Sequence, residues 1–181
     1  MSSKKKVFIA LSSGVDSSTA AALMLEAGFD CEAVFMLTCD KALHTQTLAE
    51  KVAEKLGIKL YVLDLWDDFE KILDYFCSEY EKGRTPNPCV FCNRYIKFGK
   101  LFAFVQSKGA DYFATGHYAK IIRTDSGPGL YEAEDQTKDQ SYALAMIKRD
   151  VLGKLILPLG EKTKEQTRKL AAGLGLGLEN K

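Results

Sequence analysis

At 181 residues the chain is about one domain long, enough to bury a core of its own. Its 46% apolar and 27% charged residues are those of a water-soluble globular protein, and a net charge of +1 excludes a wholly basic nucleic-acid binder. No apolar run approaches the ~20 residues of a membrane span, and the lysine-led start precedes too short an apolar stretch for a signal peptide. No membrane partner is expected, and the chain reads as cytoplasmic. In that compartment five cysteines argue against a disulfide framework and for buried thiols plus one functional pair.

In chain order, Val7–Leu11 reads as a buried strand and Ser17–Ala27 as a helix with Gly28 at its C-terminal cap. Asp30–Met36 reads as a second strand, Thr45–Leu56 as an amphipathic helix closed by Gly57, and Leu60–Leu63 as a third strand. Trp66–Lys82 is the next helix, ending at Gly83, with Trp66 assigned to the core. The stretch 85–93 (TPNPCVFCN) carries two prolines and is expected to lack regular structure. A helix over Tyr95–Lys108 and a strand over Tyr112–Thr115 follow. Ala119–Thr124 and Leu130–Glu134 read as a hairpin joined through Ser-Gly-Pro-Gly. Helices are predicted over Ser141–Lys148 and Lys164–Leu174, the latter opened by a Thr163/Gln166 capping box. The Gly-Leu-Gly-Leu-Gly-Leu end suggests a chain cut short. Strand and helix alternate every ~25–30 residues, the rhythm of an α/β fold with a doubly wound, mainly parallel sheet flanked by helices.

Two constellations carry chemistry. The first, Ser12-Ser13-Gly14-Val15-Asp16-Ser17-Ser18, lies between the first strand and the first helix. A helix N-terminus beyond a parallel strand offers free amides and a positive dipole end to an anion. Gly14 permits close backbone approach, and the serines add hydroxyl donors. Asp16 fits a phosphate site by holding the loop or by sharing a magnesium ion; the competing reading is a Ser/Asp helix cap without ligand. Neither Gly-Lys-Ser/Thr nor GxGxxG is present.

The second constellation is the Cys89-x-x-Cys92 pair in a proline-stiffened loop opening into a helix. With Arg84, Arg94 and Lys97 nearby in sequence, a depressed thiol pKa is expected. A sulfur carrier, a redox pair and a pair of metal or iron–sulfur ligands all remain open. A zinc site would want a second such pair, which the sequence lacks. Cys31 and Cys77 read as buried thiols, Cys39 sits near the ligand edge of the sheet, and His117 is equally read as a ligand residue or a structural one.

The loop Ser12–Ser18 resembles the Ser-Gly-Gly-x-Asp-Ser signature of the ATP pyrophosphatase (PP-loop) superfamily, with Ser13 in place of the first glycine. Together with TPNPxxxCNxxIKF from Thr85, with Ala114-Thr-Gly-His-Tyr-Ala119 and with Lys138-Asp-Gln-Ser-Tyr142, the chain resembles the tRNA-specific 2-thiouridylase family as far as about Leu170. That resemblance implies a PP-loop catalytic domain over residues 1–181, without the central and β-barrel domains that help grip tRNA. It implies that Ala10, Leu11, Ser12, Ser13, Gly14, Val15, Asp16 and Ser17 cradle ATP, with Met36 and Gly116 at the adenine. Asn87, Pro88 and Cys89 would lie against the target base, Cys92 would be the catalytic cysteine, and Lys138, Asp139 and Gln140 would touch tRNA. The family commonly has an acidic residue where this chain has Cys89, which raises the interest of Cys89 and Cys92 as iron–sulfur ligands.

The implied reaction uses ATP and magnesium to adenylate the C2 oxygen of a wobble uridine in the tRNA anticodon loop. Sulfur from a donor protein or sulfide then gives 2-thiouridine. The alternatives are an amidating PP-loop ligase and a non-catalytic ATP- or cluster-binding fragment.

Overall fold

The computed structural model describes residues 4–175, so the glycine-rich end read above as a truncation lies outside the described residues. Strands β1 (Lys6–Ala10), β2 (Asp30–Leu37), β3 (Lys59–Asp64), β4 (Tyr112–Ala114) and β7 (Leu155–Ile156) form one sheet in the order β3-β2-β1-β4-β7. Every pairing in it is parallel. The chain winds outward from β1 to β3, then returns to add β4 on the other side of β1. That reversal makes the carboxyl ends of β1 and β4 the topological switch point, where doubly wound sheets open a crevice.

Period-two alternation assigns the faces. Val7, Ile9, Ala33 and Phe35 are buried with residues of helices α1 (Val15–Glu26) and α2 (Asp40–Leu56). Phe8, Val34 and Phe113 are buried on the opposite face. There they meet Ile72 of α3 (Trp66–Glu81) and Ile96, Leu101 and Val105 of the long helical segment described below. With both faces covered, the inner strands read as continuous apolar runs, which is why they were visible in the sequence.

The two-stranded sheet β5 (Lys120–Thr124) and β6 (Gly127–Tyr131) is a hairpin, but its register differs from the expectation. Thr124 pairs with Gly127, so the turn is Asp125–Ser126, and Pro128 lies within a strand opposite Arg123. A two-stranded ribbon has free edges, where proline is tolerated. Gly127, at φ 102°, supplies the backbone angle that closes the turn.

Thr85–Asn93 is the larger correction. Pro88 does not block a helix but starts one: α4 (Pro88–Phe91), in which Asn87 Oδ1 accepts from the Val90 amide at 3.4 Å. Proline's fixed φ and missing N–H suit the first helical position. The chain runs on without a break as a π-helix, Cys92–Leu101, and then as α5 (Phe102–Ser107). A Cβ on Gly99 would stand 3.1 Å from the carbonyl oxygen of Arg94, five residues back.

Beyond β4, the predicted helix Ser141–Lys148 is only a 3₁₀ turn over Ser141–Leu144. The short helix α6 (Arg149–Leu152) and strand β7 were not anticipated. Helix α7 (Lys164–Gly173) has the capping box read from Thr163 and Gln166. Trp66 is partly exposed, its indole donating to Glu70, and Leu65 takes the core position instead. Cys31 is buried, and burial pushes its pKa up to about 11, whereas Cys77 is exposed on α3. No helix among the described residues is long and apolar enough to cross a membrane.

Candidate functional site

The crevice at the switch point is a cavity of about 220 Å³. Ala10, Leu11, Ser12, Asp16 and Ser17 line it from the end of β1 and the start of α1, and Val34, Phe35 and Met36 from β2. Thr115, Gly116 and His117 line it from the end of β4, with Lys97 and Gln140 closing the far side. One end is thus apolar and the other is a helix N-terminus, the division a nucleotide requires.

Loop Ser12–Ser18 is stitched by its own hydroxyls. Ser17 Oγ accepts from the Ser12 amide and lies within hydrogen-bond distance of Ser12 Oγ, both at 3.1 Å. Ser17 and Ser18 both donate to the Gly14 carbonyl. No side chain caps the N-terminus of α1, so its first-turn amides are left for an acceptor from outside. Ser13 holds φ 60°, the left-handed region, although it is not glycine. Such a residue costs ~1–2 kcal/mol, and its persistence in a buried loop marks a backbone shape fixed by its surroundings. Gly116 explains part of that shape. A Cβ there would sit 2.8 Å from both Asp16 C and Ser17 N, so the strand end and the loop can touch only because position 116 has no side chain.

Asp16 is held rather than free. Lys164 Nζ lies 2.5 and 2.7 Å from its two oxygens, and Tyr118 donates to Oδ1 at 2.9 Å. These contacts tie the start of α1 to α7 and to the chain that follows β4. Lys164 went unnoticed in the sequence because it comes from α7, 148 positions away, with no motif around it.

A second cavity, of about 420 Å³, lies behind the far wall. Pro88, Cys89, Cys92 and Asn93 line it together with Phe69, Ile72 and Phe76 of α3 and with Tyr142. Lys97, His117 and Gln140 line both cavities, so these three side chains are the partition between them. His117 is buried, its Nδ1 2.7 Å from Thr115 Oγ1 and its Nε2 3.4 Å from Lys97 Nζ. When Lys97 is charged its ammonium can only donate, and in that state Nε2 accepts and Nδ1 carries the proton. Burial, with the nearby Lys97 charge, holds the His117 pKa well below the usual histidine value and keeps the ring neutral. Burial likewise pushes the Lys97 pKa down, opposed by Cys92 and Cys89.

The thiol environment departs from the sequence expectation. Burial raises the Cys92 pKa, and the lowering by Lys97 does not overcome it. The two arginines counted as its neighbours point elsewhere: Arg84 pairs with Glu79 at 2.8 Å, and Arg94 donates to the Met146 carbonyl.

Of the residues expected at a nucleotide, Ser13, Gly14 and Val15 do not line the cleft. Of those expected at tRNA, Pro88, Cys89 and Gln140 reach the second cavity, while Asn87 and Lys138 are exposed outside it. Asp139 accepts from the Ala133 amide and from the Ser141 amide and hydroxyl, which organises the loop carrying Gln140. Among the described residues no group of three or more His, Cys, Asp or Glu side chains could hold a metal ion. Cys89 and Cys92 alone fall short of the four thiolates usual for an iron–sulfur cluster.

Residues 5–181 match the family profile described as the tRNA methyl transferase HUP domain. A tRNA-specific 2-thiouridylase MnmA of Carboxydothermus hydrogenoformans is 47% identical over 184 residues, covering 93% of this chain and 50% of its own. One from Fusobacterium nucleatum is 45% identical over 178 residues, covering 97% of this chain and 47% of its own. The chain thus spans about half the length of the curated relatives it matches. Among solved structures, a 4-thiouridine synthetase in complex with RNA and ATP superposes with a TM-score of 0.60 at 19% identity, over 95% of this chain and 41% of that one. A predicted subunit of tRNA methyltransferase from Methanocaldococcus jannaschii gives 0.59 at 20% identity, over 93% and 74%. Those two show the fold alone. The profile match across nearly the whole chain, on a sheet whose switch point is built by the same loops that carry the motifs, places this chain in the tRNA methyl transferase HUP domain family.

Proposed function

We propose that the chain is the ATP-binding, thiol-bearing half of a tRNA 2-thiouridylase. The observation that carries this reading is the pair of cavities with one shared wall: a nucleotide-shaped cleft on one side and Cys92 on the other. An activated intermediate made at the wall is then within reach of the sulfur without crossing solvent. The curated relatives named as tRNA-specific 2-thiouridylases support the same substrate.

ATP lies with its adenine toward Val34–Met36 and its phosphates on the α1 N-terminus, with Gly116 packed against the loop. Bound magnesium would offset the phosphate charge, and Asp16, the carboxylate in the cleft lining, is the residue that would share it. The target uracil, splayed from a single-stranded anticodon loop, enters the second cavity. Its C2 oxygen attacks the α-phosphorus; the bond to pyrophosphate breaks, and pyrophosphate takes the electron pair. A sulfur nucleophile then adds at C2, and AMP departs with the oxygen. With sulfide the product forms directly. With a Cys92 persulfide it is first tethered by a disulfide, which a second thiol must open and an external thiol reductant reset. Asn87, Pro88 and Cys89 lie on the tRNA side, and Lys138 and Asp139 on the rim beyond Gln140.

The test is an anaerobic mixture of the protein, MgATP, tRNA and sulfide or a persulfide donor protein. tRNA-dependent pyrophosphate release and 2-thiouridine in digested tRNA are the expected products. AMP formation that responds to ammonium and not to tRNA would overturn the reading in favour of an amidating ligase.

A further inference from the structure

Lys97 has no counter-charge. It is the one lysine or arginine lining either cavity, and among the described residues it pairs with no carboxylate; its contact is the neutral His117 ring. Lys97 is partly buried, and withdrawing an ammonium from water without an anion is costly, so such a group persists where an anion visits. His117, itself fixed by Thr115, aims it. The π-helix sets its position: i→i+5 winding carries Lys97 back to the side of Cys92, so both face the second cavity.

From this placement we propose that Lys97 is the ligand of the nucleotide's α-phosphate, holding the phosphorus at the partition where the two cavities meet. The proposal rests on the adenylation reading above and deepens it. The β- and γ-phosphates rest on the first-turn amides of α1 at Asp16 and Ser17, so the leaving group lies on one side of the α-phosphorus and the uracil oxygen arrives on the other. The bond to that oxygen forms as the bond to pyrophosphate breaks. Lys97 keeps its protons throughout; it offsets phosphate charge and then holds AMP until sulfur displaces it. His117, acting through Lys97, is a positioning residue.

Calorimetry with adenosine, AMP and inorganic pyrophosphate tests this without tRNA or sulfur. In Lys97→Met, AMP affinity should fall roughly tenfold, the scale of one charge-assisted hydrogen bond, while adenosine and pyrophosphate affinities stay within about twofold. Lys97→Arg should recover most of the AMP affinity. The Met variant should melt no lower than the parent, because it removes a cation with no carboxylate partner, and that separates the effect from misfolding. Unchanged AMP binding in Lys97→Met overturns the proposal, as does an equal loss for adenosine, which would make Lys97 a mere wall. A loss confined to pyrophosphate also overturns it. If the parent makes no thiouridine yet the AMP discrimination holds, the thiolation reading fails and this assignment stands; the converse result removes only Lys97.

Discussion

Replacing Gly116 with alanine tests whether the β4 end and the nucleotide loop really share one close-packed contact. The added Cβ would lie 2.8 Å from Asp16 C and Ser17 N and 3.1 Å from Asp16 Cβ. Favourable carbon contacts begin near ~3.5 Å, so the loop must retreat by about 0.7 Å. Two of the three obstructing atoms are backbone, so no rotamer change relieves them. Overpacking of this kind costs ~1–3 kcal/mol. For a chain of this size each kcal/mol moves Tm by about 2–4 °C, so a fall of roughly 4–8 °C is expected from the middle of that range. The same displacement moves the α1 amides off a bound phosphate, and hydrogen-bond geometry is unforgiving at that scale. Differential scanning fluorimetry and MgATP titration by calorimetry read the two effects. Gly173→Ala is the control: nothing lies within 4 Å of its Cβ, so a gain of ~0.5–1 kcal/mol is expected at most. A Gly116→Ala protein with parental Tm and parental ATP affinity would refute the contact.

Ser13→Gly releases the strain at φ 60°, ~1–2 kcal/mol, against the ~0.5–1 kcal/mol that glycine loses to chain entropy; a Tm rise of a few degrees in a thermal melt is expected. His117 is held neutral in the fold, with its pKa below the ~6.5 of the unfolded chain. The unfolded state therefore binds the extra proton first, and stability is lost as pH falls below about 6.5 towards the folded value. Melts between pH 7.5 and 5.5 should show that slope, and His117→Gln should flatten it. Asn93→Leu should cost ~1–3 kcal/mol in urea unfolding, because it strips the Ala143 carbonyl of the donor now 3.0 Å away while its site is buried.

Strands β1–β4 and helices α1–α3 were legible because the inner strands are apolar on both faces and those helices end at glycines, whereas β7 and α6 are too short to show a period. Gly28, Gly57 and Gly83 all take positive φ where the sequence placed helix ends. What was not legible depended on contacts between distant positions. The Lys164–Asp16 pair spans 148 positions, and Lys97 acquires its meaning only from the two cavities it separates. The thiol environment was misread for the same reason: proximity in sequence suggested arginines that the fold directs to Glu79 and Met146. Pro88 reads as a breaker in the sequence because a proline at a helix start and one in a loop look alike without the capping Asn87 in place.

The wide turn at Cys92–Leu101 also bears on how this segment tolerates change in length. In an ordinary α-helix five residues sweep ~500°, leaving positions 92 and 97 about 140° apart around the axis. Deleting a single residue between them would let the segment relax into that commoner winding and leave the two four positions apart, ~400° or about 40° around the axis, still on one side. Rewinding the segment at its present length would instead turn the ammonium away from the thiol's chamber. Here the winding of the helix, matched to the spacing of the chain, carries the link between the two halves of the chemistry.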